Sequence, residues 1–326
     1  MTAKGERIMT VINPRKPQAF STRGALKKKL WNSKTLILMC IPAILYFIAF
    51  SYAPLPGIYV AFVNYNYRKG IFGSKFIGLK NFEFVANSGK LWMLTKNTIL
   101  FNLAFILLDN ALAVVVAILL KEIQSKSFRK VSQTMMFLPY FISQVLVGLL
   151  VFSLLNSDTG FLNVILKGLG AEPLRLYKTG DPWPFIIILV HLWQKTGYNS
   201  VVYFAAIMGI DEAIIEASMI DGANGWQKIK HIILPSLRPT IVILLLFALG
   251  GIVKGDFGLF WNLVGRNPTL YEKVDIIEMF VYRATVSDFN FSTASAVGLY
   301  QSLIGFILVL TVNGIVKKIE PDYSLF

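Results

Sequence analysis

The chain contains 326 residues, with a formal net charge of +14 and a mean hydropathy of +0.59. Hydrophobic residues make up 55% of it and charged residues only 15%, whereas about a quarter of a typical soluble domain is charged. This composition excludes an ordinary soluble protein, and the long apolar runs lack the alternation of membrane β-barrel strands. We therefore predict an all-α protein that crosses a membrane several times.

Six apolar runs are each long enough to cross about 30 Å of hydrocarbon as a helix. They span residues 35–53, 97–120, 131–155, 183–208, 237–255 and 293–316. The polar, basic segment before the first run lacks the short apolar core of a cleavable signal peptide. We therefore expect the first helix to remain in the protein.

The distribution of lysine and arginine predicts the orientation of the chain. Lysines concentrate immediately before the first run, at residues 27–29 and 34, and cytoplasmic flanks carry an excess of such residues. We expect cytoplasmic N- and C-termini in a bacterial plasma membrane. We interpret the lysine cluster as an anchor to anionic lipid headgroups rather than as a surface for nucleic acid.

This orientation divides the chain into four predicted parts. Residues 1–34 form a basic cytoplasmic tail that ends in an interfacial helix. Residues 35–96 form the first transmembrane helix and an extracytoplasmic loop, which we expect to be irregular at 68–84. Residues 97–316 form the core, and residues 317–326 form a second cytoplasmic tail.

The cytoplasmic segment 209–236 carries a helical pattern between the fourth and fifth runs. Helix formers fill its first half, and Asp221-Gly222 predicts a sharp turn, because glycine tolerates the backbone angles that end a helix. Asn224 can cap a second helix that runs to about Ile232. The pattern predicts a compact helix–turn–helix on the cytoplasmic face, and an ordinary amphipathic interfacial helix is the alternative.

In its spacing this segment resembles the EAA loop of ABC-importer permeases, which reads E-A-A, three residues, G, nine residues, I, any residue, L-P. The matching residues are Glu216, Ala217, Ser218, Gly222, Ile232, Leu234 and Pro235. Ser218 replaces the second alanine, which exchanges one small residue for another. The resemblance implies a type I ABC-importer (MetI-like) permease fold with about six transmembrane helices and a cytoplasmic coupling helix. It also implies that these residues dock on an ATP-binding-cassette ATPase dimer.

The chain contains no G-x-x-x-x-G-K-[ST] loop for nucleotide phosphates. The resemblance therefore implies that ATP and Mg²⁺ bind to the partner ATPase, and that this chain binds no cofactor of its own. The only cysteine, Cys40, lies within the first apolar run, and two histidines are few for a catalytic cluster. We expect no catalytic residue, no metal ligand and no enzymatic activity.

Further stretches are similar to the carbohydrate-uptake branch of these permeases, at residues 42–50, 61–65 and 74–82. Residues 254–261 and 275–277 resemble the polysaccharide and alginate-type (LplB-like) subgroup. The chain departs from the large subunit of the maltose importer in having fewer apolar runs and no large folded domain outside. The resemblance implies import of oligosaccharides that a solute-binding protein delivers to a heterodimer of this chain and a second permease.

Polar groups inside a membrane are costly unless they line a path or pair with each other. The glycine-interrupted run after residue 249 predicts that the fifth span unwinds and lines a cavity. The candidate passage residues are Lys195, Tyr198, Asn199, Lys254, Asp256, Trp261 and Asn262. In one interpretation Lys254 pairs with Asp256. In the other, Lys254 and Lys195 attract a uronate carboxylate, which favours an acidic, polysaccharide-derived oligosaccharide.

Two other functional classes stay open at this point. An ion-coupled secondary transporter without an ATPase predicts inverted internal repeats, and none is clear in the sequence. A membrane-embedded enzyme predicts a catalytic cluster, which the residue content disfavours. Co-purification with an ATPase would separate the first interpretation from both alternatives.

Overall fold

The structure is a computed structural model that describes residues 33–319. The predicted basic tail with its interfacial helix, and most of the second tail, lie outside the described residues. Two compact units divide the chain, with the boundary between Pro56 and Gly57. In the first unit, helix α1, Lys34–Phe47, continues as a π-helical turn at Ile48–Tyr52.

The second unit is mostly helical and contains one small β-hairpin. Its two antiparallel strands are β1, Val63–Asn66, and β2, Ser74–Phe76. Its labelled helices are α2, Lys80–Asn87; α3, Lys90–Glu122; α4, Lys126–Phe137; α5, Gln144–Leu155; α6, Phe161–Gly168; α7, Trp183–Met208; α8, Glu212–Ile220; α9, Gly225–Lys228; α10, Leu234–Leu249; α11, Phe257–Leu263; α12, Ile277–Val286; and α13, Phe291–Ile319. The segment 68–84 is therefore not irregular, since it contains β2 and the start of α2.

Among the described residues, four helices are long and apolar enough to cross a membrane: Lys34–Phe62, Lys90–Glu122, Gly225–Leu249 and Phe291–Lys318. The bent pair of α4 and α5 makes a fifth if it is one span. The remaining predicted run forms α7, whose 26 residues extend about 39 Å. Its polar side chains, which include a histidine and a lysine, lower its hydropathy, so length and composition together identify four or five spans rather than six.

The third predicted run, 131–155, is not one continuous helix. A 3-10 turn, Leu138–Phe141, follows α4, and the helix that begins at Gln144 is bent by 95° from the preceding one. Pro139 lacks an N–H and disfavours helical geometry in the residue before it. The Ser143 hydroxyl then starts the new helix by accepting a backbone hydrogen bond. The expectation of one unbroken helix over 131–155 is therefore wrong.

Two apolar clusters hold the long helices of the second unit together. One cluster surrounds the first half of α3 and includes Phe101, Trp183 and Phe260, so it joins α3, α7 and α11. The other surrounds the second half of α3 and includes Ala113 and Leu237, so it joins α3, α7 and α10. The first cluster packs against the segment that follows α10, which includes α11. The second cluster packs against the residues just before α10, such as Ile233.

Candidate functional site

The segment 209–236 folds into the predicted helix–turn–helix, formed by α8 and α9. The Asp211 carboxylate caps α8 by accepting a hydrogen bond (3.0 Å) from the backbone amide two residues later. Gly222 has a φ of +80°. The Ala223 N–H donates to the Ser218 carbonyl oxygen (2.9 Å), which ends α8 in a Schellman motif. The predicted turn is present, with its glycine in the left-handed region.

Asn224 caps the next helix in a capping box with Gln227. The Gln227 N–H donates to the Asn224 side chain (2.9 Å), and the Asn224 N–H donates to the Gln227 side chain (2.8 Å). From there the chain stays helical through Gly225–Leu249, with a π-helical turn at Ile229–Ile233. The second helix of the predicted pair is therefore the beginning of the next span and not a separate element.

The residues that match the loop pattern lie on the surface of segment 209–236, and each is either exposed or half-buried. The exposed ones are Glu216, Ala217, Gly222, Leu234 and Pro235, and the half-buried ones are Ser218 and Ile232. Two neighbouring apolar side chains, Ile220 and Trp226, are 87% and 69% exposed. Exposed apolar side chains next to a carboxylate are typical of a surface that docks another protein.

Two ion pairs connect this surface to the end of α3. The Lys121 Nζ lies 3.8 Å from the Glu212 Oε1, and the Lys228 Nζ lies 3.7 Å from the Glu122 Oε1. Both carboxylates are well exposed, so each pair contributes little stability by itself. Buried Ile233 adds apolar packing against α3 and α7. Packing and charge together attach the helix–turn–helix to the helices that cross the membrane.

The chain unwinds after α10, as the glycine-rich run predicts. Residues 250–256 leave the helix, and the Asp256 carboxylate then caps α11 by accepting from the Leu259 amide (3.1 Å). The same carboxylate accepts a hydrogen bond from the Gln144 Nε2 (2.9 Å). No ion pair joins Lys254 to Asp256 in this part of the described chain, so the interpretation of a local pair is wrong.

Lys254 is exposed and lines a cavity of about 580 Å³ between the unwound segment, α12 and α13. Glu278 lies in the same cavity and accepts hydrogen bonds from the Gly255 N–H (2.7 Å) and the Gln301 Nε2 (2.6 Å). Burial raises the pKa of Glu278, and these hydrogen bonds and the charge of Lys254 oppose that rise. The positive charge of Lys254 therefore faces a carboxylate.

Lys195 and Tyr198 both contact Tyr140, which was not among the residues predicted from the sequence. The Lys195 Nζ lies 5.0 Å from the centroid of the Tyr140 ring, within the range of a cation–π interaction. The Tyr140 ring stacks on the Tyr198 ring with centroids 4.1 Å apart. Asn199 is half-buried beside them on α7. Lys195 and Lys254 therefore have different neighbours.

Trp261 and Asn262 line a second cavity, of about 640 Å³, between α5 and the loops that follow α5, α6 and α11. The Trp261 ring packs against two other aromatic rings, with its centroid 4.6 Å from that of Tyr282 and 5.8 Å from that of Phe257. The other polar lining residues are Asn156, Ser157, Asp158, Lys178, Arg266, Asn267 and Thr269. Aromatic faces beside amides and charges are suited to polar ligands with apolar faces, such as sugars.

Comparison with known proteins decides which family this arrangement represents. A family model described as "binding-protein-dependent transport system inner membrane component" matches residues 109–325, which is more than half of the chain. The chain belongs to this family. The permease is a transport subunit rather than an enzyme, and it is an inner-membrane component of an ATP-binding-cassette (ABC) importer.

Relatives of the permease resemble it over nearly its whole length. It is 33% identical to the polygalacturonan/rhamnogalacturonan transport system permease protein YteP of Bacillus subtilis, over 92% of this chain and 93% of the relative. It is 29% identical to the protein LplB of Bacillus subtilis, over 94% of both chains. The resemblance noted from the sequence, to the carbohydrate-uptake family, is confirmed.

Solved structures confirm the predicted MetI-like permease fold. A crystal structure of a bacterial ABC transporter that imports the acidic polysaccharide alginate superposes with a TM-score of 0.82 at 31% identity, covering 91% of this chain and 99% of that one. A second structure of an alginate ABC transporter, in complex with an alginate pentasaccharide-bound periplasmic protein, gives 0.81 at 32% identity.

Sequence reasoning missed several residues of the two cavities and the aromatic stack, among them Tyr140, Glu278, Arg266 and Lys178. Tyr140 directly follows Pro139, and a proline within an apolar run was the signal for a bend there. Glu278 and Arg266 lie outside the predicted spans, where charged residues are common and give no signal of their own. Only the folded chain brings them beside Lys254 and Trp261.

Proposed function

We propose that this permease, together with a second permease subunit, forms the passage for oligosaccharides that a solute-binding protein delivers and an ATPase dimer drives across the membrane. The observation that carries the proposal is the match to the alginate importer, at a TM-score of 0.82 over 91% of this chain. The relatives named for polygalacturonan and for starch degradation products support the same substrate class.

In this proposal α8 and α9 are the coupling surface on the cytoplasmic side, and both termini are cytoplasmic. Glu216 is exposed among apolar side chains, which supports its pairing with a basic group of the ATPase. ATP and Mg²⁺ bind to the ATPase subunits. Closure of the ATPase dimer then moves α8 and the helix Gly225–Leu249 as a rigid body, because that helix is continuous.

The passage in this proposal follows the residues that the sequence singled out. The stack of Tyr198 on Tyr140 offers an apolar face to a sugar ring, and Asn199 lies next to it on α7. The unwound segment contributes Lys254 and the Asp256 carboxylate, and Trp261 and Asn262 follow on α11. Broken helices of this kind are found where backbone lines a cavity in a membrane.

The experiment that tests this function is reconstitution of the permease with its genetic neighbours in proteoliposomes. We expect ATP-dependent uptake of oligosaccharides that requires the loaded solute-binding protein, and ATP hydrolysis that the loaded protein stimulates. Uptake driven by an ion gradient without any ATPase would instead establish the secondary transporter, and would overturn the proposal.

Substitutions at the passage add a second readout to this experiment. Trp261→Ala and Lys254→Gln should lower uptake or change which oligosaccharides are accepted, in complexes that still assemble. Trp92→Ala is the matched control, because Trp92 is 74% exposed at the start of α3 and lines neither cavity. Unchanged selectivity in well-assembled Trp261→Ala and Lys254→Gln complexes would remove these residues from the passage.

A further inference from the structure

The cavity beside α5 continues the proposed passage in the direction of the loops. Along one face of α5, Gln144 bonds to Asp256. One turn later, a Cβ at Gly148 would lie 2.5 Å from the Asn262 carbonyl oxygen. Residues spaced by four lie on the same side of a helix, so these contacts form a row. The cavity begins where the row reaches Asn262.

Two cations in this cavity have no partner within the described chain. Nearby, Lys273 forms an ion pair with Asp181 (3.0 Å). The Arg266 and Lys178 side chains are exposed, line the cavity and take part in no ion pair or side-chain hydrogen bond of the described residues. Each is therefore available to an anionic ligand.

Contacts with neighbouring residues fix the position of Tyr177 in the cavity wall. Tyr177 packs edge-on against Phe152 (5.5 Å between centroids) and Trp183 (4.6 Å), and its carbonyl oxygen accepts a hydrogen bond from the Asn267 Nδ2 (2.7 Å). Burial raises the pKa of Tyr177 to about 12. The phenol therefore stays neutral and adds no negative charge to the wall.

We propose that this cavity binds a uronate unit of an acidic oligosaccharide, with Arg266 and Lys178 on the carboxylate and Trp261 on the sugar ring. The proposal rests on the oligosaccharide-import function and specifies its substrate charge. Asp158 is the one carboxylate of the lining, and it can accept hydroxyl hydrogen bonds while the two cations leave the lining with a net positive charge. At about 640 Å³ the cavity lies within the usual size range of ligand pockets.

This site differs from the pair Lys195 and Lys254, which the sequence suggested as the groups that attract a uronate carboxylate. The charge of Lys254 faces Glu278, and Lys195 faces the Tyr140 ring. Glu278 balances the charge of Lys254 within its cavity, whereas the described lining with Arg266, Lys178 and Asp158 keeps a net positive charge. Arginine also binds a carboxylate through two parallel hydrogen bonds, which gives geometric selectivity that a lysine lacks.

The test compares two probes that differ only at C6 of each unit: tetragalacturonate, which carries carboxylates there, and its carboxyl-reduced form, which carries neutral hydroxymethyl groups. The complete importer in nanodiscs, without the solute-binding protein, is titrated with each probe at low salt by calorimetry. We expect the wild type to bind the uronate form more tightly, and Arg266→Gln and Lys178→Gln each to weaken that form by about fivefold. Binding of the neutral form should change by less than about twofold.

Arg175→Gln is the matched control, because Arg175 is exposed in the same loop as Lys178 and lies outside the cavity lining. The proposal is overturned if the wild type binds tetragalacturonate no better than the neutral form, if it does not bind tetragalacturonate measurably, or if Arg175→Gln acts like Arg266→Gln. Equal loss for both probes in the cavity variants also overturns it, since that result indicates a general structural defect.

Failure of the import function is measured separately, in proteoliposomes with the solute-binding protein. Absence of ATP-dependent uptake of every oligosaccharide by the wild type would overturn the function and this inference together. Uptake of oligosaccharides by a wild type without preference for uronate in the nanodisc titration would overturn the inference alone. If Arg266→Gln loses ATPase stimulation with every loaded solute-binding protein, regardless of sugar charge, Arg266 contacts the solute-binding protein and not the sugar. That result would also overturn the inference.

Discussion

In the helix–turn–helix, Gly222 has a backbone conformation that few residues other than glycine adopt. Its φ of +80° lies in the left-handed region, and its N–H donates to the Met219 carbonyl oxygen (3.1 Å) at the end of α8. A Cβ at this position would meet no atom within 4 Å. Any cost of substitution therefore comes from the backbone and not from a steric clash.

We predict that Gly222→Val reduces transport and stimulated ATP hydrolysis together, because a β-branched residue at this φ costs about 1–2 kcal/mol and shifts the turn. Membrane insertion should persist. Gly222→Asn should keep more activity, since asparagine tolerates left-handed angles. Gly225→Ala is the control, at an exposed glycine without a positive φ. Normal transport by Gly222→Val would contradict the role of this turn.

Glu278 is a half-buried residue whose pKa is raised above its ordinary value of 4.5, mainly by burial of its carboxylate. An acid with a raised folded-state pKa destabilises the folded state when it is ionised, and this cost is relieved as the pH falls through that pKa. Glu278→Gln retains an oxygen that can accept from the Gly255 N–H. The variant removes the charge and keeps the acceptor.

We predict that Glu278→Gln raises the thermal stability of the importer relative to wild type at pH 7.5, and that the difference shrinks at lower pH. The shrinkage should occur between the raised pKa and 4.5, where wild-type Glu278 takes up a proton. Differential scanning fluorimetry of both proteins across this range measures the effect. A difference that is constant with pH would show that the carboxylate titrates normally.

The turn and the cap of the helix–turn–helix were predictable, because residues close together in the sequence form them. Asp221-Gly222 and Asn224 carry turn and cap signals within a few residues of the structure they form. The partner of Asp256 was not predictable, because Gln144 lies 112 residues away and only the fold brings the two together. The nearest cation in sequence, Lys254, was the wrong choice for the same reason.

The interface between α3 and α7 depends on a buried polar pair. The His191 Nε2 lies 2.9 Å from the Asp109 Oδ2, and the His191 ring stacks on the Phe105 ring with centroids 3.8 Å apart. Both Asp109 and His191 are 9% exposed. Close packing supports the same helix elsewhere, since a Cβ at Gly197 of α7 would overlap the Met136 carbonyl oxygen.

We predict that Asp109→Ala and His191→Ala are each destabilising, and that the double variant is less destabilised than their sum. Each single substitution leaves one buried polar partner unpaired. The coupling energy should be about 0.6 kcal/mol and no more than about 1.7 kcal/mol, the average and the maximum seen for polar pairs between membrane helices. Unfolding of all four proteins in mixed micelles gives this double-mutant cycle. Additive losses would mean that the pair does not stabilise the α3–α7 interface.

At the scale of elements, hydropathy predicts where helices lie better than how they bend or where they end. The sequence indicated an apolar run at 131–155, but the 95° bend after Leu138–Phe141 depends on Pro139 and the cap at Ser143. The end of α10 was predictable, because glycines mark it in the sequence. The hairpin of β1 and β2 was not, since its strands are too short for a periodic signal.

Across the whole molecule, one continuous helix joins the two candidate sites. It begins at Gly225, beside exposed Trp226 and the turn at Gly222, and ends at Leu249, where the unwound segment begins. Its 25 residues extend about 37 Å. A displacement of the helix–turn–helix can therefore reach the proposed passage without passing through a flexible loop, which is what ATP-driven opening requires.

The mechanism requires the two ends of that helix to face opposite compartments, and cysteine labelling tests this. In a Cys40→Ala background, we predict that an impermeant maleimide modifies Ser287→Cys from outside the cell and leaves Asp221→Cys unmodified until the membrane is opened. Both positions are exposed, so accessibility to the reagent reports the side of the membrane and not burial. Ser74 also lies in a predicted outside loop, but it is only 7% exposed and is unsuitable for this purpose. Labelling of Asp221→Cys from outside would contradict the orientation, and with it the assignment of α8 as the surface that docks on the ATPase.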